Sequence, residues 1–477
     1  MKWFFLLNNA SFLAEFFGKL AHQPIERGDE CLVVMNSKIA ELGKKKFFPN
    51  NAKFISKVDW CAENYQKNKK EFSNLSWKEL FPIFDRYSPR GFFNYNNSFN
   101  IVSQTYQFFE FIFNEYKPDA IVGEPPSGLF HEVAYYFCKK NNIPYIGMCG
   151  SRFENRIEVY DSEFTNSKYE KTFNEIKNTA IAEEEKNFAK AFIRGFVSHK
   201  QVPFYVGLAK IYFTQYGLVK HYIKRVKESG ILLFKCFLKV RRFKGFDYET
   251  EIALKHAIIT PWRAEKRKFK ILFQKNIFFK IGDTDKNFFF FPLHYQPEAS
   301  TSVWATYYND QLNTIKNIAF TLPFPYKLYV KEHPASIGLR SGGFYKKLKE
   351  LPNVVLISPE ENIENIIRKS SGVITLTGTA GMEAALSGKP VYVLGNVFYT
   401  YHPLCRKVKN FDELRGAIEK DLTNKINTDN LEDINCHFIV SYFRNTIEGT
   451  IVSASQEKDT NNYELIYKNI YAISKKS

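Results

Sequence analysis

Residues 327–399 decide the fold of this chain. They read KLYVKEHP at 327–334, VVLISPEENIENIIRKSSGVITLTGTAGMEAALSGKPVYVLG at 354–395 and NVFY at 396–399. Short β-branched runs predict strands at 327–331, 354–357, 373–376 and 391–394, with helices between them, one at about 381–386. Strands that alternate with short helices are typical of an α/β fold with a doubly wound parallel sheet.

Polar residues follow these strands directly. The positions after the first and third strands are Glu332, His333, Pro334, Thr377, Gly378, Thr379 and Gly381. Because the carboxyl ends of parallel strands meet along one edge of a sheet, these residues predict one ligand-binding rim. The Thr-Gly-Thr-Ala-Gly turn offers backbone N–H groups and hydroxyls to a phosphate, although it fits an ordinary capped helix start equally well.

Three segments of this region resemble a known family. FFPLHYQPEAST at 290–301, YKLYVKEHP at 326–334 and ITLTGTAGMEAALSGKPVYVLGNVFY at 374–399 are similar to the C-terminal half of the bacterial capsule polysaccharide biosynthesis family. The resemblance covers residues 285–405 well. That family includes β-Kdo glycosyltransferases.

The resemblance implies a GT-B fold, in which two Rossmann-like domains with parallel sheets face a cleft. It implies that the C-terminal domain holds the nucleotide of an activated sugar. It also implies that His333 and Pro334 contact the phosphate or ribose of a CMP-sugar, and that Gln296 and Glu298 are candidates for contacts in the cleft. From the residues alone, Glu298 fits equally well as an acid that complements a helix dipole.

Length and cysteine usage limit the class of protein. A chain of 477 residues is long enough for two or three domains, each with its own core. Its seven scattered cysteines show no CxxC spacing and no nearby His cluster, so we predict neither disulfides nor a metal site. The N-terminal apolar run is too short for the apolar region of a signal peptide, and a cytoplasmic location is expected.

The positive charge is concentrated in the middle of the chain. Between Lys186 and Lys280 there are 22 lysines and arginines but only five acidic residues, an excess equal to the net charge of +17 for the whole chain. We therefore predict a basic, mainly helical insertion at 169–284. Its charge fits peripheral contact with the inner face of the cytoplasmic membrane, an anionic glycan or glycolipid, or simply a solvated helix face. No RNA- or DNA-binding motif accompanies it, so nucleic acid is not expected as a partner.

The N-terminal part repeats the strand and helix alternation. Strands are predicted at 3–7, 31–35, 53–55, 120–123 and 145–148, and helices at 11–20, 101–116 and 129–140. These elements predict a second Rossmann-like domain. Its first turn lacks GxGxxG, which argues against an NAD or FAD cofactor.

Several residues of this N-terminal domain are candidates for chemistry. Glu124 directly follows a strand, and Asp161 lies further along. A glycosyltransferase needs a carboxylate as base, acid or nucleophile, so Glu124 is the first candidate and Asp161 the second. Glu124 fits a helix-capping role almost as well. Arg152 and Arg156 are predicted to clamp the carboxylate or phosphate of an anionic donor, because guanidinium groups bind such groups bidentately.

The domain plan follows from these elements. We predict an N-terminal, acceptor-side domain at 1–168, the insertion at 169–284 and a nucleotide-sugar-binding domain at 285–455. The last of these begins with a strand at 287–293 and a helix at 303–318. A final helix at 456–477 is predicted to cross back to the N-terminal domain.

The leading hypothesis is a glycosyltransferase of capsule or surface-polysaccharide assembly. It would transfer a sugar, taken to be Kdo from CMP-Kdo, to a glycan or glycolipid acceptor without a further cofactor. One alternative is a UDP- or GDP-sugar donor, for which Lys331, Arg340 and Lys389 offer cations. Two others are a non-catalytic assembly or export factor and a sugar-nucleotide epimerase.

Overall fold

The computed structural model describes most of the two predicted α/β regions and little of the central segment. The described residues are 1–8, 11–41, 45–66, 95–160, 167–198, 223, 226–227, 230, 243, 245–250, 287–296, 298–333, 336, 339–358, 361–424, 429–451 and 461–475. The chain divides into two compact units. The first comprises Met1–Glu163, Lys227–Ile258 and Asn445–Ser477, and the second comprises Phe164–Val226 and Ile259–Arg444.

A mainly parallel sheet forms the centre of the first unit. Its strands are β1 (Lys2–Leu7), β2 (Glu30–Met35), β3 (Lys53–Ser56), β4 (Ala120–Gly123), β5 (Tyr145–Gly150) and β6 (Arg156–Tyr160). The spatial order runs β6-β5-β4-β1-β2-β3, and every neighbouring pair is parallel except β5 and β6. Its helices are α1 (Ser11–Leu20), α2 (His22–Glu26), α3 (Lys38–Glu41), α4 (Lys57–Asn64), α5 (Tyr95–Tyr116) and α6 (Leu129–Lys140).

Alternation of side chains along β1 explains why this sheet is buried on both faces. Trp3, Phe5 and Leu7 point into one apolar cluster, and Phe4 and Leu6 point into the other. A strand covered on both faces reads as a continuous hydrophobic run, as KWFFLL does. The predicted Rossmann-like organisation of the N-terminal region is confirmed.

The second unit contains a fully parallel sheet. Its strands are β7 (Phe288–Pro292), β8 (Lys327–Lys331), β9 (Val354–Ile357), β10 (Gly372–Thr375), β11 (Val391–Val393) and β12 (Cys405–Lys407), in the spatial order β12-β11-β10-β7-β8-β9. Two helices, α7 (Ser167–Ile176) and α8 (Glu183–Val197), precede it. Helices α9 (Ala299–Ser302), α10 (Gln311–Thr321), α11 (Gly342–Lys349), α12 (Ile363–Lys369), α13 (Thr379–Leu386), α14 (Phe411–Thr423) and α15 (Leu431–Arg444) follow the strands. The predicted Rossmann-like organisation of the C-terminal region is also confirmed.

After Arg444 the chain returns to the first unit. Strand β13 (Thr446–Glu448) pairs antiparallel with β6, and α16 (Asn461–Ser474) packs on the apolar cluster that contains Trp3. Tyr467 of α16 lies with its ring 5.6 Å from the Trp3 ring. Where the sequence assigned residues up to 455 to the second domain, the structure assigns the chain from Asn445 onward to the first.

Other predicted elements differ from the structure. The helix expected at 303–318 is broken, and α10 begins only at Gln311, because the Asp310 carboxylate caps the amides of Leu312 and Asn313. Strands β6 and β13 were not predicted, since short antiparallel edge strands carry little periodic signal.

Most of the basic insertion predicted at 169–284 lies outside the described residues. Within it, α7 and α8 belong to the second unit and residues 245–250 to the first. No helix in the described part of the chain is long and apolar enough to cross a bilayer.

Candidate functional site

The candidate site lies where the strand order of the second sheet reverses. From β7 the chain proceeds to β8 and β9 on one side of the sheet, and β10 starts the series on the other side. Ligands of open α/β sheets bind beyond the carboxyl ends of the strands at such a switch point. His294 follows β7 and Thr377 follows β10, so both residues belong to this crevice.

His294 joins the two strands at the switch point. The Thr377 amide donates to Nε2 of His294 at 3.1 Å, and the Thr375 hydroxyl lies 3.3 Å from the same nitrogen. Since Nε2 accepts, Nδ1 carries the proton of the neutral ring. Gln311 fixes the backbone, because its Oε1 accepts from the His294 amide and its Nε2 donates to the His294 carbonyl.

The His294 ring is neutral at physiological pH. Burial lowers its pKa to about 3, and repulsion from His333 when that ring is protonated and from Arg340 acts in the same direction. A neutral imidazole is a hydrogen-bonding group and not a counter-ion. His294 directly follows the strand predicted at 287–293, but the sequence carries no sign of its hydrogen bond with Thr377.

The Thr375–Gly381 turn uses some of its predicted donors internally. The Thr377 amide is bonded to His294, the Gly378 amide donates to Oγ1 of Thr375 at 3.1 Å, and the Thr377 hydroxyl donates to the Ser300 carbonyl. Among the described residues, the amides of Thr379 and Ala380 at the start of α13 donate to no protein acceptor. Of the backbone amides predicted across Thr377–Gly381 as phosphate donors, those of Thr379 and Ala380 therefore remain available.

Tyr399 holds this turn in place. Its hydroxyl donates to the Gly378 carbonyl at 2.6 Å. A Cβ at Gly381 would overlap that hydroxyl, and a Cβ at Gly395 would lie 2.6 Å from Cγ2 of Thr377. These two glycines are therefore required for close approach of the loops after β10 and β11.

A buried ion pair supports the turn after β8. Glu332 is 1% exposed, and its carboxylate accepts from Arg340 and, at 2.6 Å, from the Tyr345 hydroxyl. A second nitrogen of Arg340 donates to the His294 carbonyl. Glu332 lies on the predicted ligand-binding rim, but these bonds engage both its oxygens, and the carboxylate thereby orients Arg340.

His333 lies half-buried at the same rim. Burial lowers its pKa to about 4, helped by the charges of Arg340 and Lys331, and its ring centroid is 6.1 Å from that of Tyr295. Burial also lowers the pKa of Lys331 to about 8. Pro334 lies outside the described residues.

The other predicted contacts of this unit are tied locally. The Gln296 side-chain amide donates to the carbonyl and Oδ1 of Asn309. Glu298 is exposed and accepts from the Ser300 hydroxyl at 2.6 Å at the start of α9. Both residues remain near the rim as candidate contacts.

The first unit has its own switch point between β1 and β4. Glu124 follows β4, Asn8 follows β1, and the Asn8 side-chain amide donates to Oε2 of Glu124. The Tyr145 hydroxyl donates to the Glu124 carbonyl at 2.7 Å. Asn8 was missed from the sequence, although a polar residue directly after the first strand was the available signal.

The two arginines that were predicted to clamp an anionic donor, Arg152 and Arg156, contact different partners in the structure. Arg152 forms an ion pair of 2.9 Å with Glu158, whose side chain is completely buried. Arg156 donates to the carbonyl and hydroxyl of Thr446 on β13. Asp161 lies outside the described residues. No cluster of His, Cys, Asp and Glu in the described part of the chain could hold a metal.

The depressed pKa of His294 predicts a pH dependence of stability. Its pKa is about 3 in the folded protein and about 6.5 when unfolded, so the unfolded state binds more protons between these values. Between these pH values, protonation of His294 in the unfolded state lowers the free energy of unfolding as the pH decreases. The slope from this one group is at most about 1.4 kcal/mol per pH unit. Denaturant titrations at a series of pH values should show that the contribution of His294 to the pH dependence of the free energy of unfolding is lost in His294→Asn. The exposed His22→Asn serves as control, and equal slopes in wild type and His294→Asn would contradict the prediction.

Several solved structures are similar to this chain. Two structures of Thermosulfurimonas dismutans KpsC match, one described as a β-Kdo 2,7 transferase and one as a β-Kdo 2,4 transferase, each at 13% identity. The first covers 77% of this chain and 89% of its own with a TM-score of 0.36, and the second covers 67% and 79% with a TM-score of 0.33. UDP-GlcNAc 2-epimerase of Methanocaldococcus jannaschii matches at 12% identity over 93% of this chain and 99% of its own, with a TM-score of 0.28. At such identities the activity has to be argued from the residues of this chain.

Sequence comparison points to one family. No curated protein sequence matches the chain. Residues 297–432 match the model of the capsule polysaccharide biosynthesis protein family. The matched segment includes α13, the Glu332–Arg340 pair and Tyr399. The predicted resemblance is therefore confirmed over residues 297–432, the part of the chain that is similar to the capsule polysaccharide biosynthesis protein family.

Proposed function

We propose that this chain is a GT-B glycosyltransferase of capsule polysaccharide assembly that takes its sugar from a CMP-sugar, with Kdo as the sugar. The observation that carries the proposal is the start of α13 at the switch point. There, the amides of Thr379 and Ala380 have no protein acceptor among the described residues and lie at the positive end of the helix dipole. Such a helix start is suited to one phosphate group.

The charge of the rim favours a single phosphate. His294 and His333 are neutral because their pKa values are lowered to about 3 and 4, and the charge of Arg340 is matched by Glu332. A CMP-sugar carries one negative charge on its phosphodiester, whereas a UDP- or GDP-sugar carries two on its diphosphate. Lys331, whose pKa is lowered to about 8, is a further cation beside the rim. A rim with two neutral histidines, one matched arginine and this lysine supports the CMP-sugar over the more highly charged alternative donors.

Glu124 is the residue that we propose for activation of the acceptor. It lies at the switch point of the first sheet, and the hydrogen bond from Asn8 orients its carboxylate. As a base it would accept the proton of the attacking hydroxyl, and as a nucleophile it would form a glycosyl intermediate. The acceptor would be a glycan or glycolipid, as the family resemblance implies, and Kdo itself is taken from the same resemblance.

Nucleotide-dependent stabilisation tests the donor. We expect CMP, but not UDP or GDP, to raise the unfolding temperature of wild type, since a ligand at about 100 times its Kd adds about 2.7 kcal/mol. His333→Ala should lose most of this shift, while the exposed His22→Ala should keep it. A shift with UDP alone would replace the donor with a UDP-sugar, and no shift with any nucleotide would favour a non-catalytic assembly factor.

Proline at Thr379 tests the backbone donor directly. Position 379 is the first residue of α13, where proline is tolerated, and Gly378 already has the extended backbone (φ −70°, ψ 147°) that precedes proline. Thr379→Pro removes the amide hydrogen, so we expect CMP affinity by calorimetry to fall about 10- to 100-fold. Thr379→Val measures the contribution of the hydroxyl separately from that of the amide. Glu183→Pro, at the start of α8, controls for the effect of placing a proline at the first position of a helix. Unchanged affinity in Thr379→Pro would exclude this amide from the phosphate site.

Loss of the Glu124 carboxylate should affect turnover and not donor binding. Removing a general base or nucleophile costs about 10²- to 10⁴-fold in rate. We expect Glu124→Gln to lower transfer of labelled Kdo from CMP-Kdo to a glycolipid acceptor by at least about 100-fold, with the CMP-induced thermal shift intact. Glu63→Gln, an exposed carboxylate of the same unit, is the control. Full activity in Glu124→Gln would remove Glu124 from the mechanism.

A further inference from the structure

Two phenylalanines are exposed at the amino edge of the second sheet. Phe320 lies in the last turn of α10 and is 63% exposed, and Phe324 lies in the turn that leads into β8 and is 97% exposed. Isolated exposed apolar residues are common on protein surfaces. Here two large aromatic side chains are exposed only four positions apart in the sequence, so this edge presents more apolar surface than one isolated residue would.

Lysines border these two aromatic side chains. Lys316 lies one turn before Phe320 on α10, with its Nζ 5.8 Å from the Phe320 ring centroid. Helix α11 packs against α10, and the loop after α11 lies at the C-terminal end of α10, where Nδ2 of Asn353 donates to the Ala319 carbonyl at 2.7 Å. The last turns of α11 carry the exposed Lys346, Lys347 and Lys349. Segments 316–327 and 346–353 together contain five lysines and a single acid, Glu350.

We propose that this edge docks on a membrane surface with anionic phospholipid headgroups. The aromatic-lysine edge consists of Phe320, Phe324, Lys316, Lys346, Lys347 and Lys349. Aromatic side chains are favoured at the boundary between headgroups and acyl chains, and lysines beside them pair with lipid phosphates while their methylene stems cover apolar surface. A second copy of this chain fits less well, because a two-fold interface would place these lysines against the same lysines of the partner.

The position of this edge is compatible with ligand binding in the same unit. The aromatic-lysine edge lies at the amino ends of β8 and β9, whereas His294, His333 and Thr379 lie at the carboxyl ends of β7, β8 and β10. Docking through the amino edge leaves the rim of this unit uncovered. The inference uses no residue of the nucleotide site and stands independently of the proposed transferase activity.

Vesicle co-sedimentation tests the proposal. The full chain should bind vesicles that contain phosphatidylglycerol and bind vesicles of phosphatidylcholine alone much more weakly. Phe320→Ser/Phe324→Ser should lower the partition coefficient by about 100-fold, because each buried phenylalanine contributes about tenfold. Lys346→Glu/Lys347→Glu should lower binding most at low salt. The control Tyr307→Ser removes an 83% exposed aromatic residue beyond the other end of α10.

Direct insertion and self-association provide the remaining outcomes. In Phe324→Trp, quenching by brominated lipids should exceed that of wild type, which measures insertion at this residue even when other segments also bind lipid. Partition of the double serine variant equal to that of wild type, with no added quenching in Phe324→Trp, would overturn the proposal. A concentration-dependent dimer that the double serine variant abolishes, with lipid binding unchanged, would assign the edge to a second copy instead.

Discussion

The buried ion pair between Glu332 and Arg340 supports the arrangement of the whole rim. Arg340 reaches from Glu332 after β8 to the His294 carbonyl after β7, and His294 in turn accepts from the Thr377 amide after β10. Loss of one partner of such a pair costs about 3–5 kcal/mol, because a charge is left uncompensated in the interior. The three loops of the candidate site are therefore held by one continuous set of polar contacts.

This set also determines which groups remain for a ligand. Each internal bond removes a donor or acceptor from the rim, as with the amides of Thr377 and Gly378. Burial keeps the two histidines neutral, and Glu332 matches the charge of Arg340. What remains is the first turn of α13, whose amides are suited to an anionic group.

The two units place different polar residues at the switch points of their sheets. In the first unit the switch point brings a carboxylate and an amide together, Glu124 and Asn8, and the edge strands β6 and β13 extend the sheet. In the second unit the carboxyl edge is polar and its amino edge presents Phe320 and Phe324. Opposite edges of one parallel sheet can thus serve separate contacts, because every strand presents its two ends to different surroundings.

Local sequence patterns predict the strand and helix alternation of both units, the positions of the rim residues and the resemblance of residues 297–432 to the capsule polysaccharide biosynthesis family. These features are local, since periodic burial and turn residues within a few positions specify them. The folded structure was needed to show that Thr377 pairs with His294, that Glu332 pairs with Arg340, and that Arg152 and Arg156 bind different partners. The final helix was predicted to cross back to the first domain, but its contact there, with Trp3 more than 400 positions earlier in the chain, was not. Hydrogen-bond and ion-pair partners depend on which distant segments the fold brings into contact, and a single sequence carries no local signal for that choice.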